Sequence, residues 1–306
     1  MAERERVVML SGGAGSWGAA RRIVDRHGAD GLTLLFADTL IEDDDLYRFL
    51  LEGTANLLGG QVPGDLLQRT AAIPPLEDED RRRLHLRALA AAVRSWCPML
   101  EWIAEGRDPH QVFRDKRYLG NTRVDPCSAV LKRQLMRRWL EDHCAPAGCI
   151  VVLGYDWSEV HRLDRAAGHW APWRAEAPLC DRPYLSKEEV FGWMEAEGLR
   201  PPRLYGEGFR HNNCGGFCVK GGQASFALLL RRHPERYRYH ERREQELRDA
   251  LGKDVAILRD RSGGTTTPLT MRRFRRRLEC DSGAFDRSEW GACSCMEPTT
   301  DPRGGA

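Results

Sequence analysis

The chain has 306 residues, 42% of them hydrophobic, with 47 basic and 45 acidic side chains and a formal net charge of +2. That length and apolar content suffice for a full core, which excludes a disordered or fibrous chain, and the near-balance of charge leaves only local clusters to favour nucleic acid. No run approaches the roughly 18 apolar residues that cross a bilayer, and Met1-Ala2-Glu3-Arg4-Glu5-Arg6 is too charged for a signal peptide, so a cytoplasmic protein that contacts no membrane is expected.

Val7 to Leu10 is a short apolar run that stops at a Ser-Gly-Gly turn, and Trp17 to His27 carries Ala19, Ala20, Ile23 and Val24 at helical spacing. Leu32 to Phe36 is a second apolar run, one crossover helix away, so the opening reads as a βαβ unit. Gln61 to Pro75 reads as loop and Glu77 to Arg94 as a helix, together an inserted excursion over about 61–97. Leu100 to Ala104 reads as a third strand, Pro109 to Arg117 and Cys127 to His143 as helices, and Cys149 to Leu153 as a fourth strand ending at Gly154.

This alternation predicts an α/β fold, a doubly wound parallel sheet over 1–180. A smaller helical, cysteine-bearing part is expected over 181–296, with helices at Ser186 to Glu197, Gly222 to Arg232, Pro234 to Leu251 and Leu269 to Leu278, and a strand at Asp254 to Leu258. Residues 297–306 are expected to be a disordered tail.

The stretch Ser11-Gly12-Gly13-Ala14-Gly15-Ser16 falls between the first strand and the first helix, where small residues let backbone N–H groups approach phosphate oxygens at the positive end of the helix dipole. Hydroxyls of Ser11 and Ser16 can add donors. It is neither a Walker A loop nor G-x-G-x-x-G, and a glycine-rich turn without a ligand is the plain alternative.

Beside that loop, the chain carries Phe36-Ala37-Asp38-Thr39 after the second strand, Pro126-Cys127-Ser128 leading to Leu131-Lys132, Gly154-Tyr155-Asp156-Trp157-Ser158-Glu159 leading to Arg162, and Ala177-Pro178-Leu179 before Ser186-Lys187. In this order these stretches resemble the PP-loop superfamily of adenine nucleotide α-hydrolases, in its phosphoadenosine phosphosulfate (PAPS) reductase-like branch, over roughly residues 5 to 225. The resemblance implies ATP, with Mg²⁺, lying across the carboxyl ends of the strands: phosphates on Ser11, Gly12, Gly13, Ala14, Gly15 and Ser16, adenosine near Asp38 and Thr39, and Gly154 and Glu159 at the same site. It implies that Lys132 and Arg162 offset charge on the α-phosphate and departing pyrophosphate. Against this stand plainer roles: surface charge for Lys132 and Arg162, a helix cap for Asp38, and orientation of Arg162 by Glu159.

The chain departs from PAPS reductases in keeping Gly12-Gly13 and in lacking a terminal Glu-Cys-Gly-Leu-His, of which Glu279-Cys280-Asp281 is a faint echo. Cleavage of ATP at the α-phosphate to adenylate an acceptor, for sulfur transfer and on nucleic acid among other acceptors, is therefore the first expectation. A PAPS or APS reductase and a non-catalytic nucleotide- or nucleic-acid-binding module are the alternatives.

Ten cysteines in a reducing compartment point to metal ligation or redox chemistry at short spacings, as in Cys214/Cys218 and Cys293/Cys295. With Cys127 upstream, the pattern resembles the iron–sulfur-binding branch of sulfonucleotide reductases, though Ser128 replaces a second cysteine and Cys-x-x-x-Cys has one residue too many. Cys127, Cys214 and Cys218 with Cys293 or Cys295 would suit a [4Fe–4S] cluster or Zn²⁺, while a sulfur-carrying thiol pair or no special role are the other readings. Arg272, Arg273 and Arg275 to Arg277 around Phe274, and Arg231, Arg232, Arg236, Arg238, Arg242 and Arg243 around Tyr237 and Tyr239, could track a phosphate backbone, or form solvated faces balanced by Glu235, Glu241, Glu244 and Glu246. A homodimer is an admissible assembly.

Overall fold

The computed structural model describes residues 5–262, 264–291 and 296. Its centre is a sheet of β1 (Glu5–Leu10), β2 (Leu32–Asp38), β3 (Leu100–Ala104), β4 (Cys149–Val152) and β5 (Arg174–Glu176), in the order β3-β2-β1-β4-β5. All four pairings are parallel.

Strands buried on both faces read as unbroken apolar runs, and here the pleat sorts each run into two cores. Val8, Leu10, Leu34, Phe36, Ile150 and Val152 point to one face, where α1 (Ala14–His27), α2 (Asp44–Leu57), α3 (Gly64–Ala71) and α4 (Glu79–Trp96) pack. Val7, Met9, Leu35, Ala37, Cys149 and Val151 point to the other. Each such fully buried large apolar side chain contributes roughly 1.5–3 kcal/mol.

Crossover helices on both faces make the sheet doubly wound, in agreement with the sequence reading. α5 (Pro109–Asp115) follows β3 and opens with a capping box between Asp108 and Gln111. The expected helix from Cys127 is continuous but not uniform: α6 (Pro126–Ser128), a π-helical turn (Ala129–Gln134) and α7 (Leu135–His143) run on from one another. The π turn carries Lys132. Such turns frequently mark functional positions.

Several boundaries differ from expectation. The stretch from 61 to 75, read as loop, contains α3, whose Leu66 and Thr70 turn inward. α2, with an Asp43 side-chain cap, was not foreseen, nor was the edge strand β5. The strand expected over Asp254 to Leu258 is shifted: β6 (Leu258–Asp260) pairs antiparallel with β7 (Thr267–Leu269) in a separate ribbon.

A short α8 (Leu163–Trp170) lies between β4 and β5, and α9 (Lys187–Ala196) begins at a Ser186–Glu189 capping box. α9 places Val190 and Met194 in the same core as α1, so packing continues across residue 180. α10 (Arg203–Gly206), α11 (Gln223–Arg232), α12 (Pro234–Leu251) and α13 (Met271–Cys280) complete the chain order. Their apolar residues share a third cluster with Ile41, Val112, Phe113, Cys127 and Leu131. No described helix is long and apolar enough to cross a membrane. The strand order reverses on either side of β1, so the loops after β1 and β4 diverge at a topological switch point, where open α/β sheets present their ligand crevice.

Candidate functional site

The turn after β1 is braced from within. Ser11 N–H donates to Ser16 Oγ at 3.1 Å, and Ser16 Oγ donates to the Gly13 carbonyl at 3.0 Å. The buried Ser16 hydroxyl therefore closes the loop on itself, and Ser11 Oγ lies 3.1 Å from it. Gly12 has φ +70°, a left-handed conformation natural to glycine.

Gly13 caps α1 without a side-chain bond, and the first turn holds no acidic residue. The first-turn N–H groups and the positive end of the dipole thus border the cleft without an acidic side chain in that turn. Tyr205 supplies a neutral partner, its hydroxyl accepting from Ala14 N–H at 3.3 Å. A Cβ on Gly15 would come within 2.6 Å of the Gly154 carbonyl, so only glycine lets the loop after β4 cross the turn after β1.

A cleft of about 430 Å³ opens here, within the size range of small-ligand sites. Ser11, Gly13, Ala14, Gly15 and Ser16 line it together with Gly154, Asp156 and Glu159, so the structure brings most of the expected nucleotide residues to one place. Gly12 contributes by its carbonyl, which accepts from Asn212 Nδ2 at 2.8 Å.

Four cations line the same cleft: Lys132, Arg162, Lys187 and Arg210. Arg162 is bonded to Glu159 and stacks over Tyr155 with its guanidinium carbon 4.7 Å from the ring centre. Lys187 lies over Tyr205 at 4.6 Å and donates to the Arg210 carbonyl. Lys132 is buried, 3.3 Å from Glu42 Oε1.

Asp38 and Thr39 are placed differently from expectation. Asp38 turns into the core, where it accepts from Leu40 N–H, Tyr47 Oη and Trp102 Nε1 at 2.7, 2.9 and 3.1 Å. Burial pushes its carboxyl up to about 6, and the Glu42 charge adds to the rise against those three donors. Thr39 donates to Glu42 Oε1 at 2.9 Å. Neither lines the cleft; Asp38 ties the end of β2 to Tyr47 and Trp102, and Thr39 holds the Glu42 carboxylate.

Of the cysteines, Cys127 and Cys214 share one apolar cluster, and Cys214 adopts a left-handed conformation with its N–H donating to Glu42. Cys218 lines a small side pocket that shares Arg210, His211, Asn213 and Gly291 with the main cleft. Cys293 and Cys295 lie outside the described residues, and among the described residues no three His, Cys, Asp or Glu side chains gather closely enough to hold a metal ion. The cysteine donors thus suit a soft metal in kind but only in part by placement.

The arginine-rich helices are largely neutralised internally. Arg275 bonds Glu241 and Glu279, Arg277 bonds Asp260, Arg238 bonds Glu235, and Arg243 bonds Glu246. Arg236 is turned inward to the Ile41 carbonyl. Arg242 pairs with Glu77 and Arg272 with Glu241, and Arg231, Arg232, Arg273 and Arg276 lie on the exposed surface.

Sequence reasoning did not single out Glu42, Tyr205, Arg210, His211 or Asn212 as site residues. Asn212 borders the quoted cysteine loop, but its partner Gly12 is 200 residues away, and no local pattern announces that bond. Comparison with family models, with curated proteins and with solved structures gave no match.

Proposed function

We propose that the chain binds ATP in the cleft between the ends of β1 and β4 and cleaves it at the α-phosphate, releasing pyrophosphate and passing the adenylyl group to an acceptor. The observation that carries this reading is the convergence of an acid-free helix N-terminus with Lys132, Arg162, Lys187 and Arg210 on one cleft. Backbone donors and fixed cations attract a polyanion, and they act most strongly where charge develops on the departing pyrophosphate.

In this reading the α1 N-terminus and the Ser11–Gly15 backbone cradle phosphate, with an incoming oxygen taking the place of the Tyr205 hydroxyl at Ala14 N–H. Arg162, oriented by Glu159 and Tyr155, and Lys187, oriented by Tyr205, hold the leaving group. Lys132 supplies a positive charge from the floor, held there by Glu42. Asp156 and Glu159 line the cleft as hard oxygen donors of the kind magnesium takes in ones and twos beside phosphates, and magnesium would neutralise phosphate charge there.

A soft-metal centre on Cys127, Cys214 and Cys218 with Cys293 or Cys295 is a separate element of the proposal, supported by the thiolate chemistry of these donors and not by a gathered ligand set among the described residues. Iron, sulfide and zinc analysis of anaerobically purified protein tests it. Calorimetric titration with ATP, followed by a pyrophosphate-release assay with candidate acceptors, tests the main reading. ATP binding lost in a cleft variant that stays folded supports it; absence of ATP binding by the intact protein would sink it.

A further inference from the structure

His211 stands where the main cleft meets its side pocket, and it lines both. The segment around it is pinned on each side. Asn212 Nδ2 donates to the Gly12 carbonyl at 2.8 Å, while Lys187 donates to the Arg210 carbonyl. Arg210 itself lies over the Trp290 ring at 4.6 Å. The imidazole is thus carried by a short rigid span fastened to the turn after β1 at one end and to the start of α9 at the other.

We propose that His211, at the junction of the cleft and its side pocket and among three of the cleft's cations, is the group that accepts the nucleophile's proton when phosphate occupies the cleft. This rests on the reading of the cleft as an ATP site. Three cations surround the ring: Lys187 from the start of α9, Arg162 from the turn after β4, and Arg210 from its own segment. Asp156, Glu159 and Lys132 are the other charged groups of the cleft.

His211 is exposed at the mouth of the cleft, where partial desolvation by the walls and then the charges of Lys187, Arg162 and Arg210 lower its basicity below the ordinary histidine range. A neutral ring at neutral pH can accept a proton, though weakly, which would make it a poor base in the empty cleft. The polyanion changes that. Phosphate oxygens offset the charges of Lys187, Arg162 and Arg210, so the coulombic part of the penalty on an imidazolium falls and the ring becomes more basic, while the desolvation part stays. Basicity then rises only once the nucleotide is in place.

The consequence for reaction type is specific. A nucleophile that arrives carrying a proton, such as a hydroxyl, a thiol or water, attacks the α-phosphorus; the new bond to phosphorus forms, the bond to the bridging oxygen breaks with its electron pair leaving on pyrophosphate, and the nucleophile's proton passes to His211. A carboxylate acceptor would need no such base. The cleft is therefore suited to protonated acceptors.

The test does not require the acceptor to be known. ATP is titrated into the protein and into His211→Gln at pH 6 in buffers of different ionisation enthalpy, and proton uptake is read from the buffer dependence. With those three charges offset, the wild type should take up a measurable fraction of a proton per ATP more than the variant. With water as the nucleophile, pyrophosphate release should fall about 10²-fold or more in His211→Ala at nearly unchanged ATP affinity, and added imidazole should restore part of it. ATP binding with the same proton uptake in both proteins would overturn the role of His211 and leave the ATP reading standing. No ATP binding by the wild type would remove both.

Discussion

Glu42 and Lys132 form a buried ion pair 3.3 Å long, and it ties three parts of the fold to one anion. The same carboxylate accepts Thr39 Oγ1 at 2.9 Å and the backbone N–H of Cys214. The end of β2, the π turn and the cysteine loop therefore meet at a single side chain.

Breaking such a pair strands a charge in a low dielectric. Glu42→Gln should cost about 3–5 kcal/mol in urea denaturation, and adding Lys132→Met to it should restore part of that loss. If the double variant is as unstable as the sum of the singles, the two residues are energetically independent.

Arg162 has no comparable structural duty, being bonded to Glu159 at the cleft wall. Arg162→Ala should leave stability and ATP affinity nearly unchanged, within about threefold for the latter, while pyrophosphate release falls roughly 10²-fold. Lys132→Ala, by contrast, should lower both activity and stability. Equal turnover by Arg162→Ala and wild type would take Arg162 out of the reaction.

Gly13→Val fills the cleft from its floor. A Cβ there already lies 2.9 Å from Tyr205 Oη, so the larger side chain displaces that hydroxyl and the space an incoming phosphate would occupy. Calorimetry should show ATP affinity falling by more than tenfold with little change in melting temperature. Gly15→Ala differs, because its Cβ meets the Gly154 carbonyl, and it should lose stability as well.

Glu244 accepts the backbone N–H of Ile257 at 3.0 Å and of Met271 at 2.6 Å, joining α12 to the β6–β7 ribbon and α13. Burial pushes its carboxyl up to about 7, against those two donors. The folded protein thus keeps a proton that the unfolded chain releases near pH 4.3, so this group's stabilisation is complete below that pH and is lost as pH rises towards 7. Asp38, at about 6, acts in the same sense. Urea midpoints should fall between pH 4.5 and 7 by an amount worth roughly 3 kcal/mol for Glu244, and Glu244→Gln should flatten that slope while being less stable at pH 5. An unchanged slope in the variant would exclude Glu244 as its source.

The sheet was readable in the sequence because its strands are buried on both faces. Val7 to Leu10 and Leu32 to Phe36 stand out as apolar runs whatever surrounds them. The glycine-rich turn between β1 and α1 was readable too, since six consecutive residues carry the small side chains and the position before a helix. α2 escaped notice although Leu46, Phe49, Leu50 and Leu57 are helically spaced, and β5 is too short and too polar to announce itself. What tertiary structure decided is the rest of the cleft. Asp38 reads alike as a ligand residue or a core acid until Trp102 and Tyr47 are seen to surround it, and Lys132 acquires its fixed place from Glu42, 90 residues earlier. Tyr205 and Asn212 reach the turn after β1 across 191 and 200 residues. Local pattern records which side chains share a face; it holds no trace of which distant charge compensates another, because that compensation exists only once burial has brought the two together.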